Sequence, residues 1–404
     1  MDSPRLPVGE RIVYYRRENG NRTRAAVAGL CGISERYLAY IEGGQRIPSH
    51  DVLVRIAAEL GVPVSALLTE DSAPEPAAPP TIAPAVARAL MGYGAPRSRD
   101  ALPVGELRDR VEAAWRIWQT SRTRFTEIAT VLPPLIADVE HAARAHRHGT
   151  DDLGRRDVLR TAADLYGLTR SYCRRTGRND LALVVADRAL RAAEDADDPI
   201  RIAAASWNMG HVMLSDPREG AVEEAADIAL SAIETLTQGN ETRETSAMAG
   251  ALQLVAVVAC ARRRQWWKAR DRLADQACGL GDRAGEGNVQ HTVFGPTNVA
   301  LHALSIEMLA GETGEALRVA DSIDTHRLPS RERAFTFTLE VARCYAMRHE
   351  DAATLVHLLR LEELSAEDLA RSPAALDLLA DLRRRARPTY RDQVDALAVR
   401  AGLT

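Results

Sequence analysis

The sequence predicts an all-α chain in three parts: a small N-terminal helical bundle over 1–69, a Pro-rich linker over 70–100, and a long array of paired helices over 101–404. Three observations carry this. Wherever apolar residues recur, the period is helical, and no run alternates with the period of two that a strand needs. Residues 70–84 are acidic, rich in proline and without apolar periodicity, which makes an extended, semi-rigid tether. Small residues recur at Ala182, Ala225, Ala269, Ala316 and Ala353, at intervals of 43, 44, 47 and 37. A two-helix unit of that length cannot bury its own apolar face, so it must stack on its neighbours into a curved solenoid.

The first helix spans 8–19, with Val8, Ile12 and Tyr15 inward, and Gly20-Asn21 end it. Thr23 then caps a second helix whose buried side is Val27, Ala28 and Leu30, and Gly32 supplies the positive φ for a sharp exit. Ser34 caps a third, short helix. There Ile33, Leu38 and Ile41 point inward and leave Glu35, Arg36, Tyr37 and Tyr40 outward, where side chains could touch a DNA major groove. A loop over 43–48 leads to Ser49, the expected cap of a fourth helix with Val52, Leu53, Ile56, Ala57 and Leu60 inside. Gly61 stops it, and 62–68 read as a fifth helix closing the bundle.

Gly32-Ile33-Ser34, Ile41-Glu42, Pro48-Ser49 and Leu60-Gly61-Val62 resemble, over residues 8–68, the helix-turn-helix family of phage repressors and xenobiotic-response-element-type regulators. The resemblance implies sequence-specific binding of double-stranded DNA. It also implies a structural ion pair between an arginine of the first helix, Arg16 or Arg17, and Glu42 at the end of the recognition helix. The chain departs from the family in having Arg24 where glutamine is common, and a turn before Thr23 that is one residue longer. Family base preferences are therefore not carried over. The candidate DNA-contacting set is Arg24, Ser34, Glu35, Arg36, Tyr37, Tyr40 and Arg46. Arg36 can fork to guanine O6 and N7, and Glu35 can accept from cytosine N4. The tyrosines can reach a phosphate or a thymine methyl, while Arg24 and Arg46 neutralise phosphates. The competing reading is an ordinary solvated face on a bundle that binds protein.

Beyond residue 100, helices carrying Trp115 and Trp118 are separated from the next by Pro133-Pro134, and helix pairs recur after Asp151. These resemble degenerate tetratricopeptide repeats. Two stretches place polar groups where a concave wall would lie. Trp207, Asn208 and His211, and Phe294, Asn298 and His302, each pair an asparagine with a histidine three or four residues later, hence on one helical face. Asparagine can satisfy the donor and acceptor of a peptide backbone, and Trp207 or Phe294 can line an apolar pocket. Packing of the asparagines between helices is the alternative.

The layout is similar to peptide-sensing regulators that pair such a bundle with tetratricopeptide repeats. It implies a homodimer on a pseudo-palindromic operator, controlled by a peptide or small-molecule effector. The alternative is a scaffold whose solenoid docks a protein partner.

Composition narrows the field. The chain has 404 residues, 46% of them hydrophobic, and a formal net charge of −4, so any DNA affinity must come from locally concentrated arginine. Lys268 is the one lysine. Cys31, Cys173, Cys260, Cys278 and Cys344 form no C-x-x-C pair and lie in apolar helical contexts, so buried, reduced thiols are expected. The glycines of Gly279-Leu280-Gly281-Asp282-Arg283-Ala284 fit a dinucleotide signature only superficially, since no strand precedes them, and an inter-helix loop is expected there. His141, His146 and His148 do not share a helix face for a metal. With no nucleophile motif, the expectation is a non-enzyme without cofactor or metal. No N-terminal apolar stretch is found and no apolar run approaches the ~18 residues of a membrane span, so a cytoplasmic protein is expected.

Overall fold

The computed structural model describes residues 8–18, 22–62, 64, 67, 83–92, 100–147, 150–325, 328 and 330–403. Among them there is helix and no strand, and the chain divides into two compact units, Met1–Pro80 and Thr81–Thr404.

The first unit contains α1 (Val8–Glu18), α2 (Arg24–Leu30), α3 (Glu35–Glu42) and α4 (His50–Leu60). Its core is Ile12, Val27, Leu38, Ile41, Leu53, Ile56 and Leu60, with Leu67 from the segment expected to be a fifth helix. That segment and the turn at Gly20-Asn21 lie largely outside the described residues. Thr23 and Ser34 cap as expected, accepting from the N–H of Ala26 at 3.2 Å and of Tyr37 at 3.1 Å. Ser49 sits at the cap position of α4 without a side-chain bond. One inward assignment fails: Leu30 is 65% exposed, and Cys31 is buried instead. Val27 and Cys31 are four apart and share a face, whereas Leu30 is rotated off it. α1 meets the end of α3 at Gly9, where a Cβ would overlap the carbonyls of Ile41 and Glu42.

The second unit begins inside the stretch expected to be linker. Helix α5 (Ala83–Leu90) buries Val86 and Leu90 in the unit's main core and packs on α7. Helices α6 (Val104–Thr120) and α7 (Arg124–Ala145) follow. The expected break at Pro133-Pro134 is absent, since both prolines lie inside α7. Two backbone donors are lost there, but Leu132, Leu135 and Ile136 are fully buried on the adjoining turns and hold the helix through.

Five helix pairs come next. They are α8 (Asp152–Arg175) with α9 (Asn179–Asp195), α10 (Pro199–Leu214) with α11 (Ala221–Thr237), and α12 (Arg243–Arg262) with α13 (Trp266–Arg272). Then come α15 (Pro296–Ala310) with α16 (Thr313–Ser322), and α17 (Arg331–Met347) with α18 (Asp351–Leu364). After α13 the helix passes through a π-helical turn, Leu273–Cys278, into α14 (Gly279–Ala284). The glycine-containing stretch expected to be a loop is therefore helical.

Ala182, Ala225, Ala269 and Ala316 are fully buried near the start of each pair's second helix. In the last pair the equivalent residue is Thr354, also fully buried, while Ala353 is half-buried. α12 is the central helix. By length and composition it could cross a membrane, with a mean hydropathy of 1.5 over 18 residues, contrary to the expectation that no run comes close. Here it is a core helix, with 78% of that window buried.

The unit ends with α19 (Ala366–Arg371), α20 (Pro373–Arg385) and α21 (Arg391–Arg400), which share a core of Leu358, Leu361, Leu379, Leu382, Val394 and Leu397 with the last pair. The array is not open-ended. α6 packs on α17, and the junction between α6 and α7 is bonded to α17, α18 and α19. Cys31, Cys173 and Cys344 are buried as expected, but Cys260 is half-buried and Cys278 exposed.

Candidate functional site

In the first unit the geometry is set by Glu42, whose carboxylate is only 2% exposed. Arg16 grips it through Nε at 2.8 Å and Nη2 at 3.2 Å, and its Nη1 donates to the Arg22 carbonyl at 2.7 Å. Arg16, not Arg17, is thus the structural arginine. Arg24 adds a third bond, Nε to Glu42 Oε2 at 2.8 Å, so part of the guanidinium expected to face phosphate is engaged. Three helices meet on one buried carboxylate. The opposite face of α3 is free: Ser34, Glu35, Arg36 and Arg46 are exposed, Tyr40 is half-buried, and Tyr37 leans on the core. Arg36 lies along Tyr40, with its Nε donating to the hydroxyl at 2.9 Å and its guanidinium 5.5 Å from the ring centre. This bond uses Nε alone and leaves the two terminal nitrogens of Arg36, the pair a guanine edge accepts from.

In the second unit the concave wall encloses a cavity of about 1040 Å³. Four of the five tryptophans, Trp115, Trp118, Trp207 and Trp266, line it. So do Arg170, Arg174, Arg175, Arg262, Arg264, Arg333 and Arg343. The acids on the wall are Glu332 and Glu340. Glu332 is engaged by Arg175 and by Arg124 Nη1 at 3.2 Å. Burial pushes its carboxyl up, but Arg175 and Arg124 outweigh this and hold it well below the usual range. Burial pushes Glu340 up to about 7; one oxygen accepts from Ser305 at 2.5 Å, and the other has no partner.

The arginines are less well served. Nε and Nη2 of Arg170, which is 2% exposed, and Nε of Arg174 have no hydrogen-bond partner. Burial and the neighbouring arginines lower both guanidinium pKa values, that of Arg174 to about 10. Two histidines on the wall, His211 and His302, are held neutral. Burial, aided by Arg174, Arg170 and Arg333, puts His211 well below its usual range, and burial beside Arg333 puts His302 at about 4.

One rim of the cavity is a loop between α14 and α15. Gln290, His291 and Val293 take φ values of 47°, 59° and 50°, a left-handed region that costs non-glycine residues of order 1–3 kcal/mol each. Bonds to α6 hold them there. The His291 ring stacks on Trp115 at 4.1 Å, and Gln119 donates to the His291 carbonyl at 3.2 Å. Phe294 plugs the loop into the core, its ring filling the space where Gly250 of α12 lacks a Cβ.

The helix-turn-helix family model matches residues 13–67. These residues form a helix-turn-helix domain. Among solved structures, the chain is similar to Bacillus thuringiensis PlcR in complex with the peptide PapR7 and DNA, at 12% identity and a TM-score of 0.26, over 86% of this chain and 98% of that one. It is also similar to the apo form of ComR from S. thermophilus, at 12% identity and a TM-score of 0.29, over 98% of this chain and 99% of that one. No curated protein matches the chain.

The residues singled out from sequence are thus sorted. In the helix-turn-helix domain all seven lie on or beside α3 or at the start of α2, with Ser34 acting as a cap and Arg24 sharing Glu42. In the second unit Trp207, His211 and His302 line the cavity. Asn208, Phe294 and Asn298 are buried off it, which corrects their expected place on a ligand wall. Each asparagine turns into the helix packing, and its Oδ1 is left without a partner. The arginines of the wall were missed. Their one signal was Arg170 and Arg174, four apart on α8 within a stripe of otherwise apolar buried positions.

Proposed function

We propose that this chain is a DNA-binding transcriptional regulator whose second unit senses a ligand in its cavity. The observation that carries the reading is the division of α3 into two faces: one locked through Leu38, Ile41 and the Arg16–Glu42–Arg24 brace, the other presenting Arg36, Glu35 and Tyr40 to solvent. A short helix held at its end by buried charge and free along its outer side can enter a major groove without deforming. Arg36 reads a base, and Arg46 and the free part of the Arg24 guanidinium neutralise phosphates. One such domain makes a small interface, so two copies on half-sites about one turn apart supply the affinity, and the working form is a cytoplasmic homodimer on a pseudo-palindrome. A peptide or small molecule in the cavity sets how the two copies are presented.

Electrophoretic mobility with genomic fragments tests this. Sequence-selective shifts that weaken steeply with salt support a regulator. The absence of any selective shift at low salt, with the protein folded, removes the reading and favours a scaffold.

A further inference from the structure

We propose that the cavity of the second unit takes an anion with an apolar body, its acidic head on Arg170, Arg174 and Arg333 and its body against Trp207 and Trp115. The inference deepens the regulator reading and depends on it for biological meaning, not for chemistry.

The charge inventory of the wall carries it. Arg170, Arg174, Arg262, Arg264, Arg333 and Arg343 line the cavity, and none of them makes a salt bridge among the described residues. The remaining wall arginine, Arg175, is engaged by Glu332, which it shares with Arg124. Glu340 hydrogen-bonds Ser305 instead of an arginine. Charge here is therefore positive and uncompensated. Arginine cannot shed its proton to relieve this, and unpaired donors on a buried guanidinium are costly. Three such nitrogens, on Arg170 and Arg174, have no hydrogen-bond partner. An anion supplies what the wall lacks, and a planar fork suits a carboxylate or a phosphoryl group.

Four tryptophans stand among the rest of the lining. Arg170 lies 5.5 Å from the centre of the Trp207 ring, and the Trp207 and His211 rings meet edge to face at 4.5 Å. Trp115 presents its indole at the rim, stacked on His291. A bare phosphate would fill little of about 1040 Å³, so the ligand has a body as well as a head.

Two dyes of one skeleton isolate the charge: 8-anilinonaphthalene-1-sulfonate and the neutral N-phenyl-1-naphthylamine. Binding is read on the full chain by dye fluorescence and by quenching of the cavity tryptophans. The sulfonate is expected to bind about tenfold or more tightly than the neutral dye. Arg170→Met and, separately, Arg174→Gln are expected to weaken it about tenfold without lowering the unfolding temperature, while the exposed Arg191→Gln changes nothing. Displacement by pyrophosphate more than citrate assigns a phosphoryl head, and the reverse a carboxylate. Equal binding of the two dyes, or sulfonate binding indifferent to both cavity variants, overturns the proposal. Mobility shifts on genomic DNA are run on the same preparations, so loss of the anion proposal leaves the regulator reading standing, and loss of the shifts alone removes the regulator while the anion site stays.

Discussion

Arg124 and Asp368 are 244 positions apart and grip each other from within the protein, through Nε to Oδ2 at 3.0 Å and a second parallel bond from Nη2. Arg124 is 1% exposed, sandwiched at 4.4 Å from the Trp118 ring, and it also reaches Glu332. Around it Glu367 accepts from the N–H of Phe125 at 2.8 Å, capping α7 with a side chain of α19. Helices α7 and α19, near the two ends of the second unit, are therefore one structure. Removing one partner strands a buried charge. Asp368→Ala should lower stability by about 3 to 5 kcal/mol, measured by urea unfolding followed at the tryptophans. A loss below about 1 kcal/mol would mean that the clasp contributes little.

The brace in the helix-turn-helix domain behaves alike on a smaller scale. Arg16→Ala leaves Glu42 with Arg24 alone, and Arg24 is 40% exposed. The expected loss is about 3 to 5 kcal/mol in that domain, seen by calorimetry as a lowered transition with the tryptophan signal of the second unit unmoved. Wild-type stability would refute the structural role of Arg16.

On DNA, Arg36→Ala should cost ~1 to 3 kcal/mol on a cognate site and little on unrelated sequence, whereas Arg46→Ala should weaken all sequences alike and flatten the salt dependence. Tyr40→Phe, which removes the hydroxyl that accepts from Arg36 Nε, should soften the discrimination without abolishing it. Binding titrations on matched and mutated operators read both effects.

Gly250→Ala pushes a methyl group into the Phe294 ring. Overpacking of this kind costs about 1 to 3 kcal/mol, and it should also release the loop at 289–293, visible as faster amide exchange there. Phe294→Ala leaves the opposite fault, a cavity, at about 3 to 5 kcal/mol.

Acid should weaken the second unit through His302. Its folded pKa of about 4 lies below the usual histidine value of 6.5, because it is buried beside Arg333. Between those values the unfolded chain binds a proton that the folded one refuses, so stability is complete above pH 6.5 and falls as pH drops toward 4, by up to about 3 kcal/mol. His302→Gln should flatten that stretch of the stability profile.

Much of this could be read from residue order. The caps at Thr23 and Ser34, the inward faces of α3 and α4 and the pairing of helices after Asp151 follow from local chemistry and period. So did the partner of Glu42, once a family pattern supplied the idea. Errors came where tertiary packing decides. Leu30 and Cys31 differ by one position, and the core takes the smaller. Pro133-Pro134 looked like a stop, yet the buried leucines beside them keep α7 whole. Ala353 stands one residue before Thr354, which fills the repeat's buried site. In the cavity, Asn208 and Asn298 stand out in the sequence as ligand-like residues, while Arg170 and Arg174 do not. Only the three-dimensional wall shows seven arginines gathered from three helices and one loop.

The clasp between Arg124 and Asp368 also bears on how this architecture can change over generations. An open stack of helix pairs can gain or lose a unit at modest cost, because each pair touches only its neighbours. Here an added pair would carry Asp368 away from Arg124 and Glu367 from the start of α7, leaving two buried charges and a bare helix end. The count of five is thereby fixed, and variation is channelled into side chains of the wall instead of the length of the array.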